Sequence, residues 1–197
     1  MKILNKTKLH ITLGEHINES GEKIVLEEPD NPAEIMAGDV KFKEKTAVIT
    51  DESADKLNLA GFGSDFGFIL FSPGNRREET IISRLQHRII LVGAGNFTKN
   101  LHYAVKNCKI RNFSAKKIFE ESPREICDAV MENARQYENL CLIIDISVIN
   151  QLGLSARELV YFLQRLKLLK NFRALVILVE EQRDEKELIT KILTESS

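Results

Sequence analysis

Residues 140–181 read LCLIIDISVINQLGLSARELVYFLQRLKLLKNFRALVILVEE. The opening run Leu140-Cys-Leu-Ile-Ile144 is apolar at every position. That pattern suits a strand covered on both faces, because a strand with one wet face would alternate. The run ends in Asp145, and Ser155-Ala-Arg-Glu158 follows as a capping box. Its serine can accept from the third helical amide while the glutamate bonds back. Leu159, Phe162, Leu163 and Leu166 then recur at three and four, one apolar stripe of a helix reaching about Leu169. Arg173–Val179 is a second apolar run, and it ends in Glu180. Strand, helix, strand in this order is the grammar of a layered α/β fold with parallel strands.

The same grammar extends upstream. Ser122-Pro-Arg-Glu125 has a capping serine, a proline at the first helical position and a glutamate placed to bond back. It predicts a helix to about Tyr137, with Ile126, Ala129, Val130 and Ala134 inward. Thr46–Thr50, Gly67–Phe71 and Arg88–Val92 are further strand candidates, and a last helix is expected from Asp184 through Leu193. The expected architecture is a three-layer α/β sandwich with a mainly parallel sheet, in a single domain over residues 1–197. Residues 1–44 differ, with Gly14, Gly21, Gly38, Pro29 and Pro32 among short alternating pieces. They read as a small β-rich N-terminal extension: strands at Leu9–Leu13 and Lys23–Leu26, a hairpin around Glu19–Gly21, a short helix over roughly 32–37.

Composition narrows the class. Apolar residues make up 43% of the 197 and charged residues 29%, enough for one large core. With 28 basic and 29 acidic residues the net charge is −1, a balance that points to neither nucleic acid nor a membrane as partner. No apolar stretch is long enough to span a bilayer, and the start carries no secretory pattern, so the cytoplasm is the expected compartment. Cys108, Cys127 and Cys141 are widely separated, and Cys141 sits inside an apolar strand. That argues for buried thiols rather than a disulfide framework or zinc site.

In open α/β sheets ligands gather beyond the carboxyl ends of the strands, so the residues after each strand carry the candidate chemistry. Asp145 closes an apolar strand and needs a cation, donors or solvent. Ser147, Asn150 and Glu180 share that edge and complete a candidate crevice. Gly93, Gly95 and Asn96 form a strand-to-helix turn whose amides could face an anion. Position 98 is Thr, so the dinucleotide fingerprint is incomplete, and no P-loop or nucleophile elbow is present. Ser72-Pro-Gly-Asn75, followed by Arg76 and Arg77, reads as a solvated turn, with binding of an acidic group the alternative, and Asp51-Glu-Ser-Ala-Asp55 as helix-charging carboxylates, with a hard cation the alternative. His10, His16, His87 and His102 stand at no ligand spacing.

The stretch Leu142–Leu193 resembles the C-terminal part of the arginase/agmatinase (ureohydrolase) family. There a strand ends in Asp-x-Asp-x-x-Asp, followed by a Gly-Leu-Ser/Thr-x-Arg-Glu helix start, a strand ending in Val-Glu, and a last helix. Here the counterparts are Asp145-Ile-Ser-Val-Ile-Asn150, Gly153-Leu-Ser-Ala-Arg-Glu158, Leu178-Val-Glu180 and the helix from Asp184. The resemblance fades before Thr80. It implies an arginase-like fold and, in intact members, a pair of manganese ions held by carboxylates and histidines from three strand ends.

Several of those ligands have no match. Ser147 and Asn150 replace two carboxylates, and Phe71-Ser-Pro-Gly-Asn75 stands where the family has Asp-Ala-His-x-Asp. Two adjacent cations need several anionic or imidazole ligands to offset dehydration and repulsion. The leading expectation is therefore an arginase-like protein without the binuclear site and without a cofactor, acting by binding, with a homo-oligomer one arrangement open to it. Asp145 is the one metal ligand to expect if a site was rebuilt around manganese. In that alternative the protein hydrolyses a C–N bond in a guanidino or amide compound. A nucleotide-binding module using Gly93–Thr98 is the third alternative.

Overall fold

A computed structural model describes residues 2–5, 25–27, 45–50, 62–74, 77–95, 98–149, 154–179 and 186–196. Eight strands form one sheet: β1 (Lys2–Asn5), β2 (Val25–Glu27), β3 (Thr46–Thr50), β4 (Phe66–Phe71), β5 (Ile89–Val92), β6 (Arg111–Phe113), β7 (Asn139–Asp145) and β8 (Phe172–Leu178). Their order is β2-β1-β3-β8-β7-β4-β5-β6, and every pairing is parallel. The helices are α1 (Arg77–Leu85), α2 (Lys99–Asn107), α3 (Ala115–Glu121), α4 (Pro123–Ala134), α5 (Ala156–Leu166) and α6 (Lys186–Ser196).

The apolar strands split their side chains between two cores. On one face Val92, Phe71, Ile144, Ile177 and Ile49 line up across β5, β4, β7, β8 and β3. They pack with α4, α5 and α6 through residues such as Val130, Phe162 and Ile192. On the other face Leu91, Leu70, Ile143 and Val176 meet α1 and α2 through Ile81, Ile82 and Leu101. This is the three-layer α/β sandwich, and both-face burial explains the unbroken apolar runs.

Caps set the helix starts. Ser155 Oγ accepts from Glu158 N at 3.2 Å, while Glu158 Oε2 accepts from Ser155 N at 2.7 Å. Thr98 and Ser114 cap α2 and α3 with a single bond each, accepting from Leu101 N and Lys117 N. Ser122 ends α3 and caps α4 by itself, which holds it at φ 99°. The helices at Ser122 and Ser155 stop at Ala134 and Leu166, a turn or less short of the expected ends.

Two short strands escaped the sequence reading. β1 and β6 have four and three residues with polar members, too few to display a period. The expected strand near Lys23 is β2, whose described neighbour β1 runs parallel to it. The strand at Leu9–Leu13, the hairpin around Glu19–Gly21 and the helix over roughly 32–37 lie outside the described residues.

At the amino ends of the strands Tyr137 lies flat on Gly67, where an added Cβ would sit 2.0–2.4 Å from the ring carbons. Tyr137 also donates its hydroxyl to the His87 carbonyl at 3.3 Å. Gly67→Ala is expected to cost about 1–3 kcal/mol by overpacking, read as a lower urea midpoint. The same substitution in a Tyr137→Ala background should cost little, because the clash needs both partners.

Candidate functional site

The strand order reverses at the centre of the sheet. From β4 the chain continues to its neighbour β5, and from β7 it continues to β8 on the opposite side. The connections therefore diverge between β4 and β7, and the gap outside their carboxyl ends is where a ligand site belongs. One step beyond the paired residues Phe71 and Ile144 stand Ser72 and Asp145.

Four polar or charged residues are buried among those described, and three of them, Ser72, Asp145 and Ser147, lie at this gap. Asp145 Oδ1 accepts from Ser147 N at 2.9 Å and from Ser147 Oγ at 2.6 Å. A hydroxyl–carboxylate bond that short is charge-assisted, with the serine hydroxyl donating to the aspartate. The pair launches the 3-10 turn Ile146–Ile149, so the buried charge is answered by its own chain two residues on. Ser72 Oγ accepts from Gly74 N at 3.0 Å, and Ser72 N continues the ladder to Val92 O. The expectation of a solvated turn at Ser72 is corrected: Ser72, Pro73 and Gly74 are all buried. Ser72 fits inside because its hydroxyl satisfies the turn it starts.

The neighbouring loops are tied together in the same manner. Gly93 N donates to Phe113 O at 2.9 Å, and Gly95 N donates to Pro73 O at 3.1 Å. Both glycine amides of the expected anion-binding turn thus meet backbone carbonyls. Gly93 adopts φ 87°, and a Cβ there would come within 2.9 Å of Val148 Cγ2 and 3.4 Å of Leu154 Cδ1. Apolar side chains of the β7 loop therefore press directly on the end of β5. Leu154 N closes that loop by donating to Val148 O at 3.3 Å. Val148 and Leu154 were missed as site residues, since a lone apolar residue in a loop carries no sequence signal of its own. Asn96, Asn150, Glu180 and the Asp51–Asp55 segment lie outside the described residues.

Of the cysteines, Cys127 and Cys141 are buried and Cys108 is half-buried. Burial pushes the Cys127 thiol up to about 11 and that of Cys141 higher still. A thiol-specific disulfide reagent should modify at most Cys108 in the native protein and all three after denaturation. Fast modification of two or more thiols in the folded state would contradict this burial.

The fold is that of the arginases, and the chain is arginase-like in architecture. A Bacillus subtilis arginase structure superposes with TM-score 0.72 at 15% identity, over 99% of this chain and 95% of that one. The arginase of Entamoeba histolytica in complex with L-ornithine gives 0.67 at 12%, over 79% and 70%. The formimidoylglutamase of Bacillus subtilis gives 0.66 at 12%, over 77% of this chain and 60% of that one. No sequence-family description and no curated protein matches the chain. At such identities the likeness establishes the fold, and function has to be argued from the site.

The manganese pair implied by the family resemblance can be tested against the donors present. The described part of the crevice offers one carboxylate, with Oδ1 held by Ser147, and two serine hydroxyls. Among the described residues no three of His, Cys, Asp or Glu converge as a metal-holding group. These donors do not fit a binuclear cation centre, which needs several anionic or imidazole ligands at once.

Proposed function

We propose that this protein is a non-catalytic binding or interaction protein built on the arginase fold, with the strand-end crevice turned into a structural joint. The Asp145–Ser147 contact carries the reading: the one strand-end carboxylate described there bonds the turn that follows it. A hydroxyl in place of a second carboxylate supplies a proton donor instead of a negative charge. It stabilises the aspartate locally and removes the demand for a cation.

Metal content decides between this and the rebuilt hydrolase. Freshly purified protein is expected to hold no stoichiometric manganese or zinc by elemental analysis, and added manganese should leave its melting unchanged. Two bound equivalents would overturn the proposal. So would stabilisation approaching about 2.7 kcal/mol at a hundredfold excess over the dissociation constant, or turnover of a guanidino or amide compound.

A further inference from the structure

The near-neutral net charge averages over a strong asymmetry. The forty residues Thr80–Phe119 contain eight Lys or Arg and no Asp or Glu, while the rest of the chain contains 20 basic and 29 acidic residues. This acid-free segment builds one lateral edge of the sheet: β5, α2 and the edge strand β6. Because β5 and β6 are parallel, α2 starts at the carboxyl end of one and returns to the amino end of the other. Its inner side is anchored by Leu101 in the core under the sheet.

The outer side of α2 carries Lys99, His102, Tyr103 and Lys106, at helical spacings of three and four, all exposed. Residues so spaced share one face, and Lys99 and Lys106 stand about 10 Å apart along the axis. Lys109, also exposed, follows in the turn between α2 and β6, while Arg111 at the start of β6 pairs with Ile90 and so lies on the other face of the sheet. None of the three lysines Lys99, Lys106 and Lys109 is paired with a carboxylate among the described residues, whereas Lys116 and Lys117 on α3 are neutralised by Glu120 and Glu121. In the middle of the row Tyr103 is 70% exposed.

We infer that this edge binds single-stranded nucleic acid, with Lys99, Lys106 and Lys109 tracking the backbone and Tyr103 stacking on a base. The chemistry favours this occupant over others. Exposed lysines suit a polyanion, since lysine is depleted from the cores of protein–protein interfaces. A lipid surface would need an apolar helix face to bury, and the outer side of α2 offers one tyrosine between lysines and asparagines. An exposed ring flanked by cations is the arrangement used to hold unstacked bases. The proposal is independent of the strand-end crevice and stands whether or not that crevice binds a metal.

Fluorescence anisotropy with fluorescein-labelled oligo-U and oligo-dT tests it on the full chain. Binding is expected at low salt, weakening with a log–log slope no steeper than about −2, since each of three neutralised phosphates contributes about −0.7 for single strands. The double variant Lys99→Glu/Lys106→Glu should weaken binding at least about tenfold, because it removes two phosphate contacts and adds two repulsions. Tyr103→Ala should weaken it at least about fivefold. Lys191→Glu, exposed on α6 in the opposite layer, should leave it unchanged. All these side chains are exposed, so melting curves of the variants should overlay that of the parent. A variant that melts early is replaced by the milder Lys→Gln pair.

The proposal is overturned by absence of binding at low salt, or by binding indifferent to the Lys99/Lys106 reversal. Equal affinity for inorganic polyphosphate together with an unaffected Tyr103→Ala would also overturn it, leaving a generic polyanion surface. Salt-sensitive self-association abolished by the same reversal, without oligonucleotide binding, would replace it with a contact between copies of the chain.

Discussion

Phe162→Ala is expected to destabilise the protein by about 3–5 kcal/mol, the range for deleting a fully buried aromatic ring. Phe162 is the point where α5 meets the sheet. Its ring has no exposed surface and meets Phe71 edge-to-face, with centroids 5.7 Å apart. Phe71 in turn sits between Val92 and Ile144 at the carboxyl ends of the central strands. Deleting the ring leaves a void against Phe71 in the core between the helices and the sheet, and a close-packed interior closes such a void only in part. Phe162→Leu should lose well under half as much, since it retains most of the apolar volume. Urea unfolding with an unchanged m-value reads both effects. A loss below about 1 kcal/mol for Phe162→Ala would mean that α5 does not rest on the sheet as described.

Asp145→Ala is expected to cost about 2–4 kcal/mol, because it leaves the Ser147 amide and hydroxyl buried without their acceptor. Asp145→Asn retains an oxygen at the same place and should cost no more than about 1 kcal/mol, the difference between a charged and a neutral acceptor. This ordering separates a structural joint from a metal ligand. For a joint, the amide rescues what alanine loses. For a ligand, the amide would forfeit the metal and behave like alanine in any metal-dependent property. Equal and small losses for both variants would show that the turn after β7 holds itself together without the aspartate.

The strand-end chemistry was half legible in the chain. An aspartate closing five apolar residues signals a buried charge in need of an answer, and Ser147 two positions on stands where the family resemblance implies a second carboxylate. That the serine turns back to supply two donors is a matter of torsion angles that no spacing displays. Ser72 went the other way. Ser-Pro-Gly-Asn has the composition of an exposed turn, yet Ser72, Pro73 and Gly74 are buried and bonded to the end of β5 through Val92 and Gly95. In the sequence Gly93 draws attention by its amide, yet the contact that requires its missing side chain is with Val148, fifty-five residues later in the chain.

Local pattern by itself determined the central strands, the capped helix starts and the layered parallel architecture. Apolar runs, capping boxes and three-four periodicity are written within a few residues of one another, and their physics is short-range. The tertiary structure alone decided the order of the strands, and with it which loops meet at the point of divergence between β4 and β7. It alone placed the acid-free segment Thr80–Phe119 at an outer edge of the sheet and exposed the lysines of α2 there. Strand order depends on contacts between residues far apart in sequence, and the closure of long loops that joins them leaves no mark on any single segment.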